Sequence, residues 1–306
     1  MNAFAHDLCA GLAQAPRRVS PKWLYDERGS ELFEQICALP EYYPTRTEIG
    51  LLSRCGREIA AQIGAGATIV DFGAGSLRKA QALVEWLVRP AAYVPIDISG
   101  SFLEQAADSA EGRLASLPLH PVVADFTNPA SVPELGAADR RVGFYPGSSI
   151  GNFEPADVAT WLAGVRGRLG GGLLVGVDLI KSPERLYAAY NDEAGVTAAF
   201  NLNLLVRANR EAGADFDPSL WAHTAFYNPP KRRVEMHLVS MHDQEVHIGV
   251  HGFRFALGDS IHTECSYKYT VEGFHRLAGE AGWSAEQVWV DPEGLFSLHW
   301  LVPRAD

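Results

Sequence analysis

Apolar residues along the 306-residue chain follow two rhythms. Helical spacing, with apolar positions three and four apart, marks residues 30–39 (SELFEQICAL) and 45–63. Between them PEYYPTRTE is expected to be a proline-bounded aromatic loop. Apolar runs of strand length follow at 67–72, 91–98, 120–124, 141–145 and 173–180. Segments 77–88, 100–116 and 155–169, set among those runs, read as helices. The run LLVGVDLI is nearly continuous, as expected of a strand covered on both faces. Strand and helix in alternation predict a parallel sheet with right-handed crossovers.

The rhythm then changes. Residues 183–213 read as helices, and 221–269 as alternating strands (HTAFYN, RVEMHLVSM, EVHIGV, FRFAL, HTECSYKY). Helical spacing returns at 271–282, and two last strands, 285–290 and 295–302, are joined by DPEG. A helix followed by a terminal hairpin is the usual close of a class I methyltransferase sheet, and a dehydrogenase sheet does not need it. The expected fold is therefore α/β: a class I, Rossmann-like methyltransferase sheet with an antiparallel terminal strand, formed by 47–181 and 271–306. Residues 1–46 and 182–270 are expected to form a second α+β domain that covers the cleft and binds the substrate.

Composition narrows the partners. The chain is 47% apolar and 21% charged, ordinary for a globular protein. A net charge of −11, with no basic cluster larger than Lys231-Arg232-Arg233, argues against nucleic acid and anionic membranes. Apolar runs fall far short of the roughly 20 residues that span a bilayer. The N-terminus, MNAFAHDLCAGLAQAPRR, lacks the basic start and apolar core of a secretory signal. Cys9, Cys37, Cys55 and Cys265 are widely spaced and read as reduced thiols in a cytoplasmic protein. His237, His242, His247 and His251 raise the question of a metal. Strand neighbours alternate faces, and no H-E-x-x-H or cysteine pair supports a site, so no metal is expected.

The chemistry concentrates in VDFGAGSLRKA, residues 70–80. A strand ends here in Asp71, Gly73 and Gly75, and a helix follows. Glycines are needed where a Cβ would block a positive-φ turn and keep a ligand from the backbone. Arg78 stands where a dinucleotide site has its third glycine, which favours S-adenosylmethionine, a cofactor without phosphate. Asp97 ends the second strand at the distance where a carboxylate takes ribose hydroxyls. Asp125 ends the third, with Phe126 beside it to pack on adenine. A carboxylate rim also suits a cationic sulfonium. Asp178 ends a later strand without a legible role. After the fourth strand, PGSSIGNF places Asn152 where a methyltransferase faces its nucleophile. Its amide either orients an amine or carboxylate, or caps the next helix. Two other classes compete: a nicotinamide dehydrogenase, weakened by the missing glycine, and a non-catalytic amino-acid-binding protein, disfavoured by the three aspartates.

The segments SPKWLYDERGSELFEQICALPEYYPTRTE, DFGAGSLRKA, GSSIGNF, AYNDEAGVTAAFNLNLL, VEMHLVS and TECSYKY resemble the L-histidine Nα-methyltransferase family of ergothioneine biosynthesis. The resemblance is collinear from about residue 20 to the C-terminus. It implies transfer of three methyl groups from S-adenosylmethionine to the α-amino nitrogen of histidine, giving hercynine. It implies cofactor contacts at Tyr25, Gly73, Lys79, Asp97, Asp125 and Phe126, beside Gly75 of the turn itself. Tyr42, Asn152 and Tyr190 are implied to hold the amino and carboxylate groups and to aim the nitrogen lone pair. Phe200 and Met236 are implied as pocket walls, and Glu264 with Ser266 as the pair that binds the imidazole. Glu264 and Ser266, two apart on a strand, share a face and complement a neutral imidazole. The other reading of Glu264 is a strand position facing solvent or Lys268, and that of the tyrosines is ordinary packing. Related enzymes on this scaffold methylate tryptophan derivatives, so another amino acid or indole is the alternative substrate. A monomer whose partner is free histidine is expected.

Overall fold

Every residue of Thr68–Phe72 and of Leu173–Asp178 is buried. Strands buried on both faces need a covering layer on each side, and the computed structural model, which describes residues 1–128 and 140–304, provides one. Elements are numbered in chain order. The sheet contains β1 (Thr68–Phe72), β2 (Ala92–Asp97), β3 (Val122–Val123), β4 (Arg141–Tyr145), β5 (Leu173–Asp178), β11 (Trp283–Val290) and β12 (Phe296–Pro303). Their order is β3-β2-β1-β4-β5-β12-β11. β1 pairs in parallel with β2 and β4, and β4 with β5. β12 is antiparallel to both β5 and β11. This is the expected class I methyltransferase sheet with its reversed terminal strand.

Side chains alternate between the faces as a pleated strand requires. Ile69 joins Leu52, Ile59, Leu83, Phe144 and Trp300 in one core cluster. Val70 and Phe72 join Trp161, Leu162, Phe274 and Trp283 in the other. Helices α3 (Tyr43–Ile63) and α4 (Arg78–Val84) serve the first cluster, α7 (Pro155–Arg166) and α10 (Val271–Glu280) the second. Each large apolar side chain so buried contributes about 1.5–3 kcal/mol.

Several expected boundaries move. The helix expected from residue 45 begins two residues earlier, at Tyr43, inside PEYYPTRTE. Pro44 is tolerated there because its missing N–H would have had no partner within the helix. The helix expected at 77–88 ends at Val84, and that at 100–116 breaks into α5 (Gly100–Asp108) and α6 (Gly112–Ala115). Gly112 marks the break with a φ of 60°.

The chain divides into two compact units, Met1–Tyr43 with Ser182–Ser266, and Pro44–Lys181 with Tyr267–Asp306. The second holds the seven-stranded sheet. The first contains α1 (Ala3–Leu12), α2 (Glu27–Ala38), α8 (Pro183–Tyr190) and α9 (Val196–Ala212). It also holds β6 (Trp221–Asn228), β7 (Arg233–Ser240) and β10 (Ser260–Tyr267), ordered β10-β7-β6, and the hairpin of β8 (Gln244–Ile248) and β9 (His251–Phe255). The chain before α2 borders β10: Val19 N donates to the His262 carbonyl at 2.9 Å, and His262 N to the Arg17 carbonyl at 3.0 Å. Asp26 caps α2 by accepting from Gly29 N at 2.8 Å. It also accepts from Asn203 Nδ2 at 2.8 Å and Arg210 Nη2 at 2.6 Å, both on α9. That anchor fixes the backbone beside Tyr25.

Candidate active site

At the end of β1 the chain turns through Gly73 (φ 77°) and Gly75 (φ 54°). A Cβ on Gly73 would come within 3.2 Å of the Phe126 ring, whereas one on Gly75 would meet nothing. Gly73 thus serves packing, and Gly75 leaves a stretch of backbone bare. Leu77, the N-cap of α4, is also left-handed at φ 60°. A non-glycine residue in that region costs roughly 1–3 kcal/mol, and such strain clusters at ligand sites. Asp97 Oδ2 accepts from Gly75 N at 3.0 Å, and Oδ1 from Ser99 N at 3.0 Å. Burial raises the Asp97 pKa, and these N–H groups pull against it. Its remaining lone pairs can still accept hydroxyls. Asp125 follows β3 and accepts from Thr127 N at 3.1 Å. The Phe126 ring meets Tyr145 edge-on with centroids 5.6 Å apart, and its carbonyl accepts from Trp161 Nε1 at 2.8 Å. Open backbone, a carboxylate at the turn and an aromatic ring fit a nucleoside-bearing cofactor without a diphosphate.

Asp71 is not part of an exposed rim. It is 1% exposed and accepts from Tyr93 Oη at 2.7 Å. Burial, with the charges of Asp97 and Glu48, lifts its pKa to about 7 against Tyr93 and Lys79.

Lys79 is held by a residue that sequence reasoning missed. Its Nζ lies 3.2 Å from Oε2 of Glu48, which is 0% exposed. The same oxygen accepts from Gly147 N at 2.8 Å. Burial raises the Glu48 pKa, opposed by Lys79 and Gly147. Two glycines make the room: a Cβ on Gly176 would sit 2.1 Å from Glu48 Oε1, and one on Gly147 2.7 Å from Lys79 Nζ. Asn152 ends a 3-10 turn, Ser149–Asn152, entered through Ser148 at φ 56°. It does not cap the next helix, because the N-cap of α7 is Glu154. Asp178 is a buried ion-pair centre, with Lys181 Nζ at 2.5 Å and Lys268 Nζ at 2.7 Å. Burial alone would raise its pKa, but the two ammonium groups outweigh that and hold it low.

The Met1–Tyr43 and Ser182–Ser266 unit gathers a second group. Tyr25 meets Phe33 and Phe200 at centroid distances of 5.6 and 5.4 Å. Tyr42 meets Phe33 at 6.1 Å and Tyr190 at 6.4 Å. Phe33 was not singled out from sequence, although it lies on the apolar face of SELFEQICAL. Burial pushes the Tyr42 phenol well up, and Tyr190, Cys37, Tyr25 and Glu264 add to it, so its hydroxyl stays neutral. The backbone at Tyr190 is held by His223, whose Nε2 lies 2.9 Å from the Tyr190 carbonyl. Phe200, Met236 and Ser266 are buried. Glu264 is 8% exposed, so it does not face solvent, and the Lys268 ammonium is engaged by Asp178.

A seven-stranded sheet in this order, closed by a reversed strand and carrying a glycine turn tied to the acidic residue that ends β2, defines a class I S-adenosylmethionine-dependent methyltransferase. A family model described as histidine-specific, S-adenosylmethionine-dependent methyltransferase matches residues 4–303, and the chain belongs to that family. The histidine N-alpha-methyltransferase of Mycolicibacterium smegmatis is 39% identical over 309 aligned positions, which cover 98% of this chain and 95% of the relative. The Mycobacterium tuberculosis protein of the same name is 36% identical, over 97% of this chain and 94% of its own length. Ergothioneine biosynthesis protein 1 of Neurospora crassa is 33% identical over 90% of this chain, which corresponds to 32% of that longer protein.

Proposed function

We propose that this protein transfers methyl groups from S-adenosylmethionine to the α-amino nitrogen of L-histidine, three in all, giving hercynine for ergothioneine biosynthesis. The observation that carries this reading is the match of residues 4–303 to the histidine-specific family. It also favours histidine over a tryptophan derivative. When bound, S-adenosylmethionine supplies a methyl carbon activated by a sulfonium, and in-line displacement at such a carbon asks for no metal.

The chain's own residues position and desolvate. Gly73, Gly75, Lys79, Asp97, Asp125, Phe126 and Tyr25 are assigned to the cofactor. Asp97 is assigned to the ribose hydroxyls through the lone pairs that Gly75 and Ser99 leave. Tyr42, Asn152 and Tyr190 are assigned to the amino and carboxylate groups. Because burial keeps the Tyr42 phenol neutral, it orients by hydrogen bonding and does not act as a base near pH 7. Phe200 and Met236 are assigned to the pocket walls. Glu264 with Ser266 is assigned to the imidazole, whose N–H suits a buried carboxylate. Holding reactants in attack geometry can contribute roughly 7–11 kcal/mol. In this reading the protein forms a monomer in the cytoplasm, binding neither nucleic acid nor membrane. Its four cysteines, none in a disulfide, suit a reducing compartment, and none of the described helices is long and apolar enough to cross a membrane.

Mass spectrometry of a free amino-acid mixture incubated with S-adenosylmethionine tests the reading. Histidine should gain up to three methyl groups, all on the α-nitrogen, and N-acetylhistidine should be inert. Methyl on the imidazole ring, or preferential methylation of another amino acid, would overturn it.

A further inference from the structure

The β10-β7-β6 sheet carries a cluster that methyl transfer does not use. Glu235 and His237 are two apart on β7 and project from one face. His262, on the adjacent β10, stacks on His237 with centroids 4.9 Å apart and ring planes at 26°. Phe226 also stacks on His237, at 5.4 Å and 18°. One donor atom from each of Glu235, His237 and His262 lies within 4.8 Å of the other two.

Hydrogen bonds leave these groups aimed at a common point. Glu235 Oε1 accepts from Arg233 Nε at 2.8 Å and from Asn228 Nδ2 at 2.9 Å. Its Oε2 lies 3.4 Å from His237 Nε2. His237 Nδ1 meets Ser260 Oγ at 3.1 Å. The His262 Nε2 is buried without a hydrogen-bond partner. His237 is thus fixed through Nδ1, a metal ion would take the place of the proton between its Nε2 and Glu235, and His262 offers its Nε2.

We propose that Glu235, His237 and His262 bind a divalent transition-metal ion of the zinc class, with water completing the shell. Two imidazoles and a carboxylate are a donor set that zinc takes with bonds of about 2.0–2.2 Å, which puts tetrahedral donors roughly 3.4 Å apart. The Glu235–His237 pair is already at 3.4 Å, so His262 has the larger approach to make. Arg233 shares the carboxylate, and its positive charge opposes a dication. The site therefore binds more weakly than a structural zinc site. A bound ion would cross-link β7 to β10. None of this depends on the methyl-transfer reading.

The test is titration of the metal-free full chain with Zn²⁺ against a chromophoric chelator, and with Co²⁺ followed by absorption. One equivalent should bind, with the strong visible bands of tetrahedral Co²⁺. His262→Ala and His237→Ala should each weaken binding by at least about tenfold. His247→Ala should not, although that exposed histidine pairs with Asp215 at 3.1 Å. Circular dichroism checks the fold of each variant, and Glu235→Gln, which keeps an acceptor for Arg233, replaces any that fails. Absence of stoichiometric binding, or unchanged affinity in the folded cluster variants, would overturn the site. Loss of binding in His247→Ala would also count against it.

Discussion

Asp71→Asn isolates a cost that unit 2 carries at neutral pH. Asp71 is 1% exposed, and its pKa moves from 3.8 to about 7. Between those values the folded protein keeps a proton that the unfolded chain has released. The folded state binds more protons there, so stability falls as pH rises through that window. At 1.36 kcal/mol per unit, a shift of about 3 units corresponds to about 4 kcal/mol, fully lost above pH 7. Asparagine cannot ionise, and its carbonyl can still accept from Tyr93, whose hydroxyl is 2.7 Å from Asp71 Oδ2. Its amide nitrogen adds an offset that does not vary with pH. The readout is therefore the difference in urea-unfolding stability between variant and wild type, measured from pH 4 to 8. That difference should move in favour of the Asp71→Asn variant by several kcal/mol as pH rises. The buried histidines act oppositely: His262 and His299, lowered to about 4 and about 3, cost stability as pH falls below 6.5. They are common to both proteins and cancel. Parallel profiles for the two proteins would refute the placement of an ionisable, protonated Asp71 in the core.

Other substitutions separate the two ligands. Glu264→Ala should weaken histidine by about 1.5–3 kcal/mol, leave cofactor affinity intact in calorimetry, and narrow the preference over tryptophan or phenylalanine. Full retention of histidine preference would place imidazole recognition elsewhere. Asn152→Ala should lower kcat by roughly tenfold or more with little change in melting temperature, since Asn152 is not the N-cap residue of α7. Normal kinetics would remove its assigned role. Asp97→Ala should weaken S-adenosylmethionine by at least about 1.5 kcal/mol in calorimetry. It also frees Gly75 N and Ser99 N, so unchanged affinity would contradict both the cofactor placement and the importance of the tied turn.

What the sequence disclosed follows from which forces are local. LLVGVDLI announced a strand buried on both faces, and β5 is that strand. The closing hairpin disclosed β11 and β12 because their reversal is set by a short connection. AFAHDLCAGL was not read as α1 although Phe4, Leu8 and Leu12, four apart, form a buried stripe; the stripe is three residues long and its cap is the single Asn2, accepting from Ala5 N at 2.8 Å. Glu48 escaped because only Gly176 and Gly147, far along the chain, make its burial possible. Asp71 was misread as a rim residue because a strand end does not reveal the Tyr93 hydroxyl on the neighbouring strand. Histidines grouped by sequence proximity missed the Glu235, His237 and His262 group, because β10 meets β7 only through the sheet.

Several departures from local rules in the Pro44–Lys181 segment lie in β1, at the end of β2, or in the segments that follow β1 and β4, with Glu48 on α3 bonded to the last of these. Glu48, Asp71 and Asp97 all have pKa values raised first by burial. Leu77 and Ser148 are left-handed without being glycine, in the segments that follow β1 and β4. Each feature costs stability, and a sequence selected for stability alone would have replaced them. The carboxylates lie in a low-dielectric setting, where Lys79 tempers both Asp71 and Glu48. Burial favours the protonated form of each, and a cation bound beside them would draw those protons off. A cation that binds only the folded state lowers these carboxylate pKa values and returns stability by mass action. The burial that makes Asp71 costly is thus a cost that a bound cation would offset.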